Sequence, residues 1–476
     1  MAAFHFPWLS CGVAINLIGA LFTAAQYRPE RARKIALLFV ALTVACTIAQ
    51  WFDFKTLIVH QAGDGWKWLP VGILEVDAFS SPLLPMIAIV FGLTTIATMK
   101  TKVRRFSFSS LLVAQAIVLA TLCSTNGWII IGLLIAAESL LLLEYRSRGK
   151  SMRGFVFHLL LTTLCLVAGW TLITMAAIGE SRHTTGLALL WLGILIRMGF
   201  FPFHFWVTDL FDSTTFGTAL LMSTPLIGAY AAIRLLFPLS TDWMLNATTT
   251  WGVLSAVYFS GMALVQCDTR RFFCFIFLSQ AALVMVGASL ATPMGLTSSL
   301  CMWTTVALAM TGLGLTLRSL ESRLGRISLN RYFGMYEHTP TLAILFLITG
   351  LASVGFPGTI GFVSFELLID GTVQTYPVMS AFIVLVATLN GIAILKVYFR
   401  LFTGVKHHTT INLRSRIAER ISTVTLATLI LFVGLFPQAW IESRYEAAKD
   451  LLSGFATNRT EIVHEAMEAQ FLGETN

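Results

Sequence analysis

The chain has 476 residues, 56% of them hydrophobic and 12% charged, with a formal net charge of +8 and a mean hydropathy of +0.79. That balance excludes a soluble globular protein: a spanning helix needs about 20 mostly apolar residues, and such runs recur from the N-terminus to about residue 441. The positive charge is not pooled on one segment, which argues against nucleic acid as a partner; it falls in short clusters between apolar runs, where it orients helices in a bilayer.

Fourteen spanning helices are predicted, over 6–26, 34–53, 79–99, 106–124, 127–145, 154–178, 186–208, 214–237, 250–267, 271–290, 295–317, 340–370, 377–402 and 421–441. The loops test that count. Alternate loops hold Arg28, Arg31, Arg33 and Lys34; Lys100, Lys102, Arg104 and Arg105; then Arg146, Arg148, Lys150 and Arg153. The series continues with Arg270 and Arg271, with Arg318, Arg323, Arg326 and Arg331, and with Lys406, Arg414, Arg416 and Arg420. The opposite short loops carry Lys55, Lys67 and Arg182. The positive-inside rule then places the basic loops in the cytoplasm and both termini outside, in what is expected to be the cytoplasmic (inner) membrane of a bacterium. One turn departs from the alternation: 209–213 should be cytoplasmic yet carries Asp209 and Asp212 and no base.

Two predicted spans contain helix breakers. The seventh holds Phe201-Pro202-Phe203-His204 and the twelfth Gly355-Phe356-Pro357-Gly358-Thr359. Proline removes a backbone hydrogen bond and clashes one turn back, and glycine loosens the same turn. Unwound backbone at bilayer depth survives only inside protein or beside water. Each proline alone reads as a kink. Together they fall one in each of two five-helix blocks, 106–237 and 250–402, which an odd number of spans would invert relative to each other, and paired interruptions point to a transport pathway. The remaining divisions are an N-terminal three-helix segment, 1–105, a cytoplasmic loop and last helix, 403–441, and an external tail, 442–476. The tail predicts two short amphipathic helices, Glu446 to Phe455 and Glu461 to Phe471.

Charge within the spans is the main clue to chemistry. Glu138 lies alone in the apolar run Ile129 to Leu143, and Arg197 alone in Leu187 to Phe203. A charge at bilayer depth costs ~2.5–3.5 kcal/mol on insertion scales and persists mainly where it faces protein or water. Glu138 is either a structural partner for Arg197 or a step in an ion path. His204, seven residues from Arg197, titrates near neutrality and is a candidate relay or a packing residue. Glu366 and Asp370 form an i, i+4 pair near the outer end of the twelfth span: an ion exit, or a wet helix end. Lys396 on the thirteenth span is a candidate end to the polar line. Arg234 and Arg400 are expected to snorkel to the surfaces. The seven cysteines show no CxxC spacing, so neither a disulfide framework nor a metal site is expected. No cofactor is expected either: there is no dinucleotide fingerprint, iron–sulfur cluster motif or haem-type histidine pair. The chain carries no redox or hydrolytic motif, whatever complex it joins. No cleavable signal peptide is evident.

The stretch Arg197-Met-Gly-Phe-Phe-Pro202-Phe-His204-Phe-Trp206-Val-Thr-Asp209 resembles the Lys-x-x-x-x-Pro-Phe-His-x-Trp-Leu-Pro-Asp signature of the antiporter-like subunits of respiratory complex I, membrane hydrogenases and Mrp cation/proton antiporters. Asp77-Ala-Phe-Ser80, Asp268-Thr-Arg-Arg-Phe with Leu278-Ser-Gln280, and Phe356-Pro-Gly-Thr-Ile-Gly-Phe-Val-Ser-Phe-Glu366 match further family segments, and the resemblance covers about residues 70 to 404. It implies an all-α polytopic membrane fold and movement of protons or Na⁺ along a polar axis at mid-membrane. It places the family's acidic residue on Glu138 and its seventh-span lysine on Arg197. Leu226 and Phe365 stand where the family has lysines, and Gln280 replaces a histidine. Arginine stays charged where a buried lysine releases its proton. The axis is therefore thinned. The leading expectation is an ion-translocating, proton-carrying subunit of a multisubunit membrane complex. The alternative is a membrane coupling subunit for a large soluble zinc-binding, carbonic-anhydrase-like partner in inorganic-carbon uptake.

Overall fold

A computed structural model of the chain describes residues 6–60, 74–98, 106–176, 180–404 and 414–473, with the backbone alone in 57–60 and 456–473. Among these residues the protein is all helix, apart from an isolated antiparallel bridge between Asp268 and Ser328. Helix is what an apolar solvent demands, because each segment must close its backbone hydrogen bonds within itself. Nine helical stretches among the described residues are long and apolar enough to cross a membrane, accompanied by four shorter apolar helices. Lys67, Lys100, Lys102, Arg104, Arg105 and Lys406 lie outside the described residues.

The first six elements follow the predicted spans: α1 (Trp8–Ala24), α2 (Pro29–His60), α3 (Leu83–Ile96), α4 (Phe108–Thr121), α5 (Gly127–Ser147) and α6 (Arg153–Met175). The seventh span is split into α7 (Ser181–Met198) and α8 (Phe205–Ser213). The eighth comprises α9 (Phe216–Ser223), α10 (Ile227–Ala231) and a π-helical turn over Ala232–Leu236. Next come α11 (Asp242–Val265), α12 (Thr269–Ser289), α13 (Pro293–Thr305) and α14 (Thr311–Leu324), the last two joined by a second π turn. The twelfth span is split into α15 (Pro340–Ala352) and α16 (Ile360–Val373), followed by α17 (Pro377–Phe402), α18 (Ile417–Leu435) and α19 (Gln438–Gly473). The most apolar windows of α12 and of α13 to α14 are 100% buried, against 28% for α6. The former make the centre of the bundle, and α6 turns most of its surface outward.

Both expected breaks are built from the same parts. At the end of α7, Gly199 takes φ +71, its N–H reaches the Ile196 carbonyl at 3.1 Å, and the Phe200 N–H reaches Leu195 at 3.1 Å. At the end of α15, Gly355 takes φ +86 and the Phe356 N–H reaches the Leu351 carbonyl at 3.1 Å. Left-handed backbone costs a residue with a Cβ roughly 1–2 kcal/mol, so glycine stands there. Proline follows and prevents the helix from resuming at once.

Three features depart from expectation. A third interruption falls in the eighth span at Thr224–Leu226, where Pro225 lacks an N–H to continue the ladder and Leu226 takes φ +50. The tail is one continuous helix, α19, rather than two short ones. It is docked, too: Arg444 is fully buried and donates to the Phe79 carbonyl at 3.1 Å and the Ala78 carbonyl at 2.9 Å, covering the lead-in to α3. Finally, α14 extends past the predicted end, so Arg318 and Arg323 are helical.

The acidic turn at 209–213 also finds its reason. Asp212 accepts from Arg271 at 2.9 Å and pairs with Arg326, which reaches Asp268 at 2.7 Å. Asp209 accepts from the Tyr145 hydroxyl at 3.0 Å and from Ser213 at 3.1 Å. Asp212 sits among the bases of neighbouring loops, whereas Asp209 is held by two hydroxyls.

Candidate ion-pair centre at the first helix break

Asn126 starts α5 by accepting from the Trp128 and Ile129 N–H groups at 3.0 and 3.3 Å, a side-chain cap that leaves the whole apolar run helical. Midway along this helix, Glu138 is buried against α6 and α7. The Arg197 guanidinium, in the last turn of α7, brings Nε to 3.0 Å from Glu138 Oε1. His158 of α6 brings Nε2 to 3.5 Å from the same oxygen. All three side chains are buried, at 2%, 8% and 8% exposure for Glu138, Arg197 and His158.

The helix break completes the centre. Because α7 stops at Met198, the chain turns and presents Trp206 from α8 back against the end of α7, where its indole N–H donates to the Ile196 carbonyl at 3.1 Å. The ring stacks on His158, with centroids 4.7 Å apart and planes 14° apart, and carries the Arg197 guanidinium 5.1 Å from its centre. One indole ring thus contacts both the imidazole and the guanidinium that approach a single carboxylate. The ion pair is close but not aligned as a hydrogen bond: Arg197 Nε and Glu138 Oε1 have no hydrogen-bond partner. A carboxylate held by Coulomb attraction rather than locked donors is able to exchange one partner for another.

The other expected residues lie apart from this centre. His204 is buried among Phe201, Phe205, Tyr258, Phe259 and Phe275, toward α11 and α12. Its spacing of seven from Arg197 does not measure two turns, because the helix ends between them. Glu366 and Asp370 are exposed on α16. Lys396 is exposed on α17 and its ammonium donates to the Leu264 carbonyl at 2.7 Å, where it satisfies the open C-terminal end of α11. Pro202 lies in the break after α7, and Pro357 and Gly358 in the break after α15.

At the second break the chemistry is neutral. Phe365 is buried; the Thr305 and Ser364 hydroxyls meet at 2.8 Å; Asn390 donates to Ser279 at 3.0 Å. Elsewhere, on α12, Gln280 is fully buried with neither amide atom hydrogen-bonded.

One buried group of the centre carries no formal charge to mark it in the sequence. His158 carries the same signal that marks Glu138, a polar ring alone in an apolar run, and escapes notice because histidine is not formally charged. Arg234, expected to snorkel outward, pairs instead with Asp77, and its Nε donates to the Tyr230 hydroxyl at 3.1 Å. That partner is 157 residues away, beyond any local pattern.

A profile of the transmembrane family described as NADH:quinone oxidoreductase/Mrp antiporter matches residues 74–390. The chain belongs to this family. Among its relatives, NADH-quinone oxidoreductase subunit M of Rickettsia bellii is 28% identical over 56% of the chain and 56% of that relative. NADH-quinone oxidoreductase subunit N of Ruthia magnifica is 26% identical over 55% and 56%. The chain thus spans about half the length of the relatives it matches. In fold it is similar to a chain in the structure of an Mrp complex from Dietzia sp. DQ12-45-1b (TM-score 0.80, 17% identity, 96% of this chain and 98% of that one). It is also similar to a chain of respiratory complex I from Thermus thermophilus (TM-score 0.82, 18% identity, 94% and 99%). Membership of this family and the apolar helices make the chain an integral membrane protein of the antiporter-like kind.

Proposed function

We propose that the chain is a proton-translocating membrane subunit of a multisubunit complex, with Glu138 as the group that takes up and releases the proton. The buried Glu138–Arg197 contact beside a helix break carries this reading. Desolvation disfavours a carboxylate and a nearby cation favours it, so movement of Arg197 alters how tightly Glu138 holds a proton. Arg197 itself stays charged and acts as the tuning partner. The matched Gly-Phe breaks support two inverted five-helix blocks within fourteen spans. Arg271 and Arg326 of two loops meet around Asp212 at one end of the bundle. With the positive-inside rule, that supports basic loops in the cytoplasm and both termini outside, and the membrane in this reading is a bacterial inner membrane. Other membrane subunits are the expected partners. The geometry offers nothing in favour of a soluble zinc-bearing partner, and protons fit the centre better than Na⁺, since a single carboxylate with a guanidinium beside it makes a poor cation cage.

The test is Glu138→Gln in the assembled complex. Proton uptake by proteoliposomes should fall to background while assembly persists, and Arg197→Lys should keep part of the flux. Wild-type flux in an assembled Glu138→Gln complex would assign Glu138 a purely structural role. For topology, single-cysteine labelling from outside intact cells should spare position 325 and reach the tail.

A further inference from the structure

We propose that His158 is the proton-exchanging partner of Glu138. This rests on the proposed role of Glu138 and supplies what that centre otherwise lacks. A carboxylate that binds and releases protons needs a neighbour able to give and take them at working pH. Arg197 does neither. Among the side chains closing on Glu138, His158 is the one whose ordinary titration falls near neutrality.

The geometry is that of a donor held ready. His158 Nε2 lies 3.5 Å from Glu138 Oε1, slightly beyond hydrogen-bond length and within one small side-chain rotation of it. Trp206 fixes the plane of the imidazole by stacking, and the Thr162 hydroxyl lies 3.5 Å from the same Nε2, a second polar contact one turn along α6. In the transfer, the N–H bond at His158 Nε2 breaks and an O–H bond forms at Glu138 Oε1. The imidazole is left neutral, and the carboxylic acid no longer attracts Arg197. Return of the proton reverses both changes, and no further reactant is needed.

Charged and titratable groups surround His158 from three neighbouring helices. From α5 come Glu138 and, seven residues on along the same face, Tyr145, whose ring stacks at 5.0 Å on Phe155, the neighbour of His158. From α7 comes Arg197. From α8 comes Trp206, and three residues beyond it Asp209, which accepts from Tyr145 at 3.0 Å. The Tyr145–Asp209 pair therefore stands between the centre and the basic-loop end, where Asp212, Arg271 and Arg326 meet.

The experiment uses the intact complex in proteoliposomes, with an imposed membrane potential and an internal pH dye, across pH 5.5 to 8.5. His158→Gln should assemble, lose flux by at least about tenfold, within the usual range for removing an acid–base group, and lose the limb of the pH profile near neutrality. His158→Gln with Arg197→Lys should recover flux, because lysine restores a second titrating group. His158→Asn, measured the same way, decides the matter if the glutamine variant does not assemble. Wild-type flux, or reduced flux with an unchanged pH profile, overturns the role of His158. If Glu138→Gln still blocks transport in that case, the proposed function stands without it; if Glu138→Gln also conducts at the wild-type rate, the ion-path reading itself falls.

Discussion

The two helix breaks use one backbone device and surround it with opposite chemistry. Each ends a helix on a glycine with positive φ, closes it with a phenylalanine N–H, and continues into proline. Around the first break sit a carboxylate, a guanidinium and an imidazole, all buried. Around the second sit Phe365 and a pair of hydroxyls, while Glu366 faces outward. A break creates room for polar groups at depth but does not supply them. In this chain the charge chemistry is concentrated at one of the two.

The largest expected effect tests that contrast directly. Arg197→Leu leaves Glu138 as an uncompensated buried charge, costing ~3–5 kcal/mol, and the yield of folded complex after mild detergent extraction should collapse. No comparable loss should follow Phe365→Leu, a smaller apolar change within a neutral environment, worth ~1 kcal/mol.

Next come the glycines. Gly199→Ala and Gly355→Ala should each cost about 1–2 kcal/mol for left-handed backbone, and their new Cβ atoms meet neighbours at 3.1 and 3.2 Å respectively. Thermal unfolding of the two purified variants should shift similarly. Proton flux should not: Gly199→Ala disturbs the placement of Trp206 and Arg197 and should lower it the more. Equal losses of flux would show that the second break matters as much to transport as the first.

Smaller still is Asp212→Asn, which weakens contacts with Arg271 and Arg326, both about half exposed. Exposed pairs contribute ~0.2–1 kcal/mol each and are screened by salt, so a difference seen at low ionic strength should vanish at high salt. Smallest of all, Glu366→Gln should change the stability of the isolated chain by no more than about 0.5 kcal/mol.

Much of this was legible in the sequence because bilayers impose strict rules. The helical class, the breaks at Pro202 and Pro357, and the encounter of Glu138 with Arg197 follow from apolar runs, punctuating residues and isolated charges. What stayed hidden depends on other physics. His158 is uncharged on paper, and its role comes from a stacking partner that only the break brings near. The interruption at Pro225 falls inside a predicted span, 214–237, because hydropathy does not register a missing N–H. The spacing of His204 from Arg197 misled because helical periodicity applies only where the helix continues. Lys396 reads as an axis residue by position, yet it occupies the end of a neighbouring helix whose carbonyls needed a donor.

One consequence concerns the order in which the protein is made. Arg444 fills the carbonyl sites of Ala78 and Phe79, and Phe79 precedes it by 365 residues. At ~5–20 residues per second, the lead-in to α3 waits on the order of tens of seconds in the membrane before its clasp is synthesised. Until then those two carbonyls must be satisfied by water, lipid headgroups or an assembly factor. The lead-in to α3 around Asp77 and Phe79 therefore locks only once α19 has been made.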